Sequence, residues 1–293
     1  MLWPKNLNKE IKTKINLAEL TSFKIGGAAE YFFEPENLKI LQQVLIFARH
    51  NKMPVFILGG GSNILVSDRG LKGIVIRLSG PHFTRCSSDG SCIEAGSGLK
   101  LNKLISFAKQ KNLSGLEFLA GIPGTLGGSL LGNAGAWGRS IGELVKEVGV
   151  LDYTGKYRRL TNKELKFAYR KSNLGKFIII SVKLKLQPAP RRQICLKINK
   201  YLLQRKQSQG HHLPNAGCIF KNPGARPAGR LIDLCGLKGA ASGRAVISTE
   251  HANFILNTGC AKCKDVLSLM KLVQKRVKEK FRINLEPEVK IWK

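Results

Sequence analysis

Three stretches of this chain bring together residue types from which chemistry could be built. In the first, Ile57-Leu58-Gly59-Gly60-Gly61-Ser62-Asn63, an apolar strand pattern runs directly into three glycines. It is not a Rossmann turn, because Ile64 stands three residues beyond Gly61 and a strand pattern follows where a helix should begin. No Gly-x4-Gly-Lys-Ser/Thr phosphate loop occurs either. Successive backbone N–H groups at such a junction can converge on an anion, with Ser62 and Asn63 adding hydrogen bonds. A plain tight turn accounts for the pattern equally well.

The second stretch, Gly121-Ile122-Pro123-Gly124-Thr125-Leu126-Gly127-Gly128 followed by Asn133-Ala134-Gly135-Ala136, is rarer. Its glycines sit in an uncharged segment and cost conformational entropy on folding, which is tolerable where a ligand or another backbone must approach closely. Two such apolar ribbons suit a large cofactor with a pyrophosphate and a flat ring system. The third stretch is Asn215-Ala216-Gly217-Cys218-Ile219-Phe220-Lys221-Asn222-Pro223. A cysteine in apolar company is commonly an inert core residue, but Lys221 and Asn222 could place a cation and an amide near this thiol. Arg170 and Glu288 read alone as members of surface ion pairs. Cys260 and Cys263 have Cys-x2-Cys spacing, yet no second such pair exists and the five histidines, including adjacent His211 and His212, complete no plausible set; no metal site is expected.

The 49 Lys+Arg against 19 Asp+Glu give a formal charge of +30, so the surface attracts anions without selectivity. That charge alone fits a nucleic-acid binder, a handler of phosphorylated small molecules, or a lysine-rich surface without a function. Aromatics are only 7% and the basic residues run throughout the chain, which speaks against a dedicated nucleic-acid module. With 43% hydrophobic residues the chain is globular rather than disordered or fibrous. Its 293 residues suffice for one large or two to three small domains. No secretory leader is visible at Met1-Leu2-Trp3-Pro4-Lys5-Asn6. The glycines and Asn133 in the uncharged run 118–137 argue against a membrane span. Seven scattered cysteines fit a reducing compartment, so a cytoplasmic protein is expected.

The elements that must position these residues follow from periodicity. A strand is expected at Glu30 to Pro35, then a helix from Leu38 to Asn51 with Leu41, Val44, Leu45 and Ala48 inward, then strands at Pro54 to Leu58, Ile64 to Val66 and Ile74 to Ile76: a β-α-β start. Leu101 to Asn112 predicts a helix. Thr161-Asn162-Lys163-Glu164 has the form of a capping box and predicts a short helix through Ala168. Phe177 to Ile180 reads as a buried strand, and the proline-rich, charged Gln187 to Arg192 as a linker. A basic helix from Gln193 to Gln207 and a last helix from Lys262 to Phe281 follow, the latter burying Val266, Leu269, Met270, Val273 and Val277 beneath a solvated face of Lys271, Lys275, Arg276 and Lys278. The fold class is α+β.

Taken in order, from Thr21-Ser22-Phe23-Lys24-Ile25-Gly26-Gly27 to Glu286-Pro287-Glu288-Val289-Lys290, these motifs resemble the UDP-N-acetylenolpyruvoylglucosamine reductases, flavoenzymes of peptidoglycan precursor synthesis. The resemblance implies an FAD-binding region of the vanillyl-alcohol-oxidase (PCMH) type in two lobes, 1–80 and 81–187, and a smaller α+β substrate domain, 188–285, with 286–293 returning to the first lobe. It implies FAD as cofactor, held by Ile57 to Asn63, by Gly121, Ile122, Pro123, Gly124, Gly127 and Gly128, and by Asn133, Ala134 and Gly135. NADPH is the implied reductant: hydride passes from flavin N5 to C3 of the enolpyruvyl group, and an acid protonates C2.

By motif, Arg170 takes the place of the arginine that stabilises the enolic intermediate, and Glu288 that of its carboxyl partner. Cys218 stands where many members have a serine proton donor. A thiol is more acidic than a hydroxyl but hydrogen-bonds more weakly. Charge develops on the carboxylate-bearing skeleton as hydride arrives, which suits the permanently charged, bidentate Arg170 and predicts a protonated, buried Glu288. Tyr169, Lys221, Asn222 and His251 are the implied substrate contacts. The absence of an obvious extra substrate-covering segment between the Ser172 strand region and the linker, and the segment His251-Ala252-Asn253-Phe254, are like the shorter, type II branch. No specific nucleic-acid partner and no membrane are expected, and the chain is read as a monomer. Another flavoenzyme of the same fold and a basic nucleic-acid binder are the competing readings.

Overall fold

The computed structural model describes residues 3, 4, 7, 10–209 and 213–293. His211 and His212, and most of the N-terminal hexapeptide, lie outside them. The chain divides into two compact units, one of residues Met1–Thr13, Tyr31–Gly60 and Lys72–Gln204, the other of Lys14–Glu30, Gly61–Leu71 and Arg205–Lys293.

In the first unit, α1 (Leu38–His50) begins at Asn37, whose Oδ1 accepts from the N–H of Ile40, and ends with Arg49 and His50, where cations suit the helix dipole. It buries Leu41, Val44, Leu45 and Ala48, the residues that the 3.6-residue spacing picked out. Strands β1 (Ile11–Asn16), β2 (Ala28–Phe33), β3 (Val55–Leu58) and β5 (Leu71–Arg77) form a sheet of order β1-β2-β5-β3. The expected β-α-β start is thus present as β2-α1-β3, with β5 between the two strands and parallel to β3.

The same unit contains a second, antiparallel sheet. It is built from β6 (Cys86–Asp89), β7 (Cys92–Gly96), β8 (Val145–Leu151), β9 (Tyr157–Thr161) and β10 (Ile178–Lys185), in the order β9-β8-β10-β7-β6. Its core takes Leu101, Leu104, Ile105 and Ala108 from α2 (Leu101–Gln110). The uncharged run 118–137 contains one short helix, α3 (Leu126–Leu131), and a two-residue strand, Gly135–Ala136, paired with Arg139–Ser140, and no helix among the described residues is long and apolar enough to cross a membrane.

The capping box forms, but it starts no helix. The N–H and hydroxyl of Thr161 both donate to Glu164, as expected. The side chain of Asn173 then accepts from the N–H of Lys166 and donates to the carbonyl of Glu164, so groups that helix propagation would need are already engaged. The chain turns into Phe167–Ala168, which pairs with Lys171–Ser172 as a hairpin. Gln187–Pro188, expected in a linker, pairs with Leu113–Ser114. Helix α4 (Arg191–Gln209) begins three residues later, and the division between units falls on it at Gln204/Arg205.

In the second unit, α5 (Ala228–Leu234) and α6 (Cys263–Phe281) accompany a three-stranded sheet of β11 (Ala241–Ser242), β12 (Ala245–Ile247) and β13 (Ile255–Asn257). Asp68 receives the N–H groups of Cys263 and Lys264 and so caps α6 from a distant turn. Helix α6 buries the five residues expected and leaves Lys271, Lys275, Arg276 and Lys278 exposed. The C-terminal β14 (Lys290–Trp292) returns to pair in parallel with β4 (Ile64–Val66).

Candidate active site

The glycines of the two ribbons serve close backbone packing. A Cβ on Gly60 would stand 2.6 Å from Cα of Gly124, and one on Gly59 2.8 Å from the hydroxyl of Thr125. These loops therefore touch where neither has a side chain. The N–H of Gly127 donates to the carbonyl of Ser97, and the Ser97 hydroxyl is a buried oxygen with no hydrogen-bond partner. Gly128 is different: the nearest atom to an added Cβ is Thr125 Oγ1 at 3.6 Å, ordinary contact, and the residue is exposed. Uncharged backbone, an unpaired buried hydroxyl and an open glycine surface fit the flat and diphosphate parts of a dinucleotide such as FAD. Ile57 and Ile122 are half-buried, Leu58 is buried, and Pro123 is exposed.

Asn133 joins this ribbon to the arginine. Its Oδ1 accepts from the N–H of Gly142 and its Nδ2 donates to the carbonyl of Ala168, both at 3.0 Å. The two-residue hairpin turn that follows Ala168 carries Tyr169 and Arg170. Arg170 adopts the left-handed conformation (φ 51°), and its Nη1 donates to the carbonyl of Gly135 at 3.1 Å. Its guanidinium carbon lies 5.6 Å from the centre of the Tyr169 ring, and Tyr169 is 57% exposed. Arg170 is half-buried against the second ribbon, a permanent cation beside the uncharged run 121–136.

In the second unit, Gly61 (φ 64°) leaves no room for a side chain, since an added Cβ would meet the Leu20 carbonyl at 2.1 Å. Two residues on, Asn63 donates through Nδ2 to the carbonyl of Glu288 and accepts the N–H of Lys290. Glu288 is in turn bonded to the segment carrying the cysteine: its N–H donates to the carbonyl of Ile219 at 2.8 Å, and that of Lys221 donates to the carbonyl of Glu286 at 2.9 Å. On the other edge Cys218 bridges Phe254, and Ile219 donates to the carbonyl of Asn253. Cys218 and Glu288, far apart in sequence, are thus held on neighbouring backbone and are each half-buried.

The substrate contacts implied by motif have protein partners of their own. Lys221 pairs with Glu286 at 2.6 Å, and Asn222 Oδ1 accepts the N–H of Ala228 at the start of α5. His251 Nδ1 accepts from the N–H of Asn253, its ring meets Phe254 edge-on at 4.9 Å, and Gly229 has no side chain where its Cε1 lies. Among the described residues no group of three or more His, Cys, Asp or Glu could hold a metal ion; Cys260 is exposed and Cys263 buried. Sequence reasoning missed Asn253, quoted only within its motif, because nothing local says that its amide faces the backbone of Phe220.

A thiol and a carboxyl on adjacent segments can exchange a proton with one bound molecule, and an arginine on an uncharged ribbon can hold an anion. Comparisons with known proteins give the family. A family model described as FAD binding domain matches residues 29–161, and one for the C-terminal domain of UDP-N-acetylenolpyruvoylglucosamine reductase matches residues 207–292. The chain is 43% identical over 274 residues to UDP-N-acetylenolpyruvoylglucosamine reductase 2 of Symbiobacterium thermophilum, covering 93% of this chain and 89% of the relative. It is also 43% identical to the reductase of Synechococcus sp. (strain JA-3-3Ab), covering 97% and 92%. The crystal structure of the reductase (MurB) from Thermus caldophilus superposes with a TM-score of 0.84 at 36% identity, covering 97% of this chain and 99% of that one. The chain belongs to the UDP-N-acetylenolpyruvoylglucosamine reductase family.

Proposed function

We propose that Cys218, Arg170 and Glu288 are the catalytic residues with which this chain carries out its family's reaction. The chain is a UDP-N-acetylmuramate dehydrogenase, an FAD-dependent oxidoreductase of peptidoglycan precursor synthesis, and its length fits the shorter type. When bound, FAD supplies the hydride chemistry, taking hydride from NADPH and delivering it to the enolpyruvyl group. The ribbons 57–63, 121–128 and 133–135 hold that cofactor through backbone, so no side-chain charge competes with its phosphates.

In this reading Cys218 delivers the proton to C2. Arg170, charged at every working pH, binds the substrate carboxylate and stabilises the negative charge that hydride addition creates. Glu288 supports the same charge by sharing a proton. Tyr169, Lys221, Asn222 and His251 contact the sugar nucleotide, Lys221 by exchanging Glu286 for phosphate oxygens. The lobes expected at 1–80, joined by the returning 286–293, and at 81–187 hold FAD, and 188–285 holds the substrate. A monomer in the cytoplasm, where NADPH and reduced thiols are available, completes the proposal.

The observation that carries it is the 2.8 Å bond from Glu288 N–H to Ile219, which holds the carboxyl-bearing segment against the thiol-bearing one. Stopped-flow kinetics with Cys218→Ala tests it. NADPH should reduce the flavin normally, while reoxidation by the enolpyruvyl sugar nucleotide slows by roughly 10²-fold, the scale of general acid catalysis. Cys218→Ser should keep most of the activity. Wild-type reoxidation in the alanine variant would reduce Cys218 to a packing residue.

A further inference from the structure

The extended segment that carries Cys218 is held by a side chain where a neighbouring strand would be expected. The N–H of Phe220 donates to Oδ1 of Asn253 at 2.9 Å, and Nδ2 of Asn253 donates to the carbonyl of Phe220 at 2.8 Å. One amide therefore pairs both backbone groups of one residue, as the opposite residue of a β-ladder does. The main chain of Asn253 adds a third bond, accepting from Ile219 N–H at 2.9 Å. Asn253 is 2% exposed, so these bonds are made without competition from water. On the far edge, Phe220 bridges Pro287, flanked by the bonds from Glu288 to Ile219 and from Lys221 to Glu286.

We infer that Asn253 is a positioning residue for the proton-delivering thiol. Its buried amide fixes the backbone at Phe220 and thereby the place of Cys218, two residues before, beside the segment that carries Glu288. Only a side chain with a donor and an acceptor on one planar group closes this pair. Leucine or alanine leaves both groups of Phe220 buried and unpaired, and aspartate keeps the acceptor but loses the donor. The inference rests on the proton-donor reading of Cys218 and adds to it the element that aims the thiol.

The test uses the flavin-loaded full chain carrying Asn253→Ala, at a temperature where circular dichroism shows it folded. Asn253→Asp serves the same measurements if the alanine variant does not fold. Flavin reduction by NADPH should stay within about twofold of the parent, and reoxidation by the enolpyruvyl sugar nucleotide should slow by about tenfold or more, as sub-ångström misplacement of a reacting group does. Added to Cys218→Ala, the same change should slow reoxidation by less than about twofold further, because the position of an absent thiol has no effect on rate. Reoxidation unchanged by the Asn253 variants, equal slowing of both half-reactions, or a fully multiplicative double variant would each overturn the inference. If Cys218→Ala alone leaves reoxidation at the parent rate, the reading of Cys218 falls instead, so the two failures are told apart.

Discussion

Gly128→Ala separates the two demands on the second ribbon, folding and ligand approach. Gly128 lies inside α3 without a positive φ, and an added methyl would meet only the Thr125 hydroxyl at 3.6 Å. Alanine is better than glycine inside a helix by about 0.8–1.0 kcal/mol, so the flavin-free protein should be stabilised by that amount. In a chain of this size that raises Tm by about 2–4 °C. If the exposed ribbon is the surface that FAD approaches, the same methyl intrudes on the ligand at about 1–3 kcal/mol, the usual range for overpacking. At 1.4 kcal/mol per factor of ten, FAD should bind about 5- to 150-fold more weakly.

Calorimetry of the flavin-free protein and an FAD titration followed by flavin fluorescence measure the two effects. Gly60→Ala is the control. Its Cβ would stand 2.6 Å from a backbone atom of Gly124 that cannot rotate away, so the flavin-free protein itself should lose about 1–3 kcal/mol. A higher Tm for Gly128→Ala with an unchanged Kd would show that FAD does not approach this face of the ribbon, and the proposed cofactor site would have to move.

Three further outcomes follow from geometry and charge. Burial alone would raise the pKa of Glu34, but hydrogen bonds from Ser79 (2.6 Å), Arg77 (2.8 Å) and Lys12 (3.2 Å) outweigh it and hold the carboxyl below its ordinary 4.5. A carboxyl depressed in this way stabilises the fold above its unfolded pKa and loses that contribution as pH falls through the folded value. Glu34→Gln should therefore melt below the parent at neutral pH, with the gap closing below pH 4.5; a constant gap would refute the assignment. Burial pushes the thiols of Cys86 and Cys263 up to about 11, so mild alkylation at pH 8 followed by mass spectrometry should label exposed Cys260 and spare these two. Lys221→Met should raise KM for the sugar nucleotide about tenfold or more, the scale of a charge-assisted hydrogen bond. Stability should change little, because Glu286 is 71% exposed and stays hydrated. An unchanged KM would remove Lys221 from the substrate contacts.

Local pattern carried a good part of the fold. Apolar residues at helical spacing in α1, α2 and α6 turned inward as expected, because a helix with one apolar stripe has one low-energy way to face a core. Pattern failed where a distant group outbid a local one. The Thr161–Glu164 box made its bonds, yet Asn173 captured the next backbone groups and turned the chain into the hairpin that carries Arg170. The second glycine stretch holds a short helix because the flanking bonds from Leu126 N–H to Leu99 and from Gly127 N–H to Ser97 position its first turn.

The order of the motifs along the chain was enough to place it in its family, and two uncharged glycine ribbons were enough to suggest a dinucleotide. Those are properties of composition and spacing, which a linear chain states directly. The grip of Arg170 on Gly135, the bond that sets Glu288 beside the Cys218 segment, and the amide of Asn253 paired with Phe220 were decided only by tertiary structure. Every residue but proline offers the same backbone donor and acceptor, so which two segments meet depends on how the cores pack, and no short stretch of sequence contains that choice.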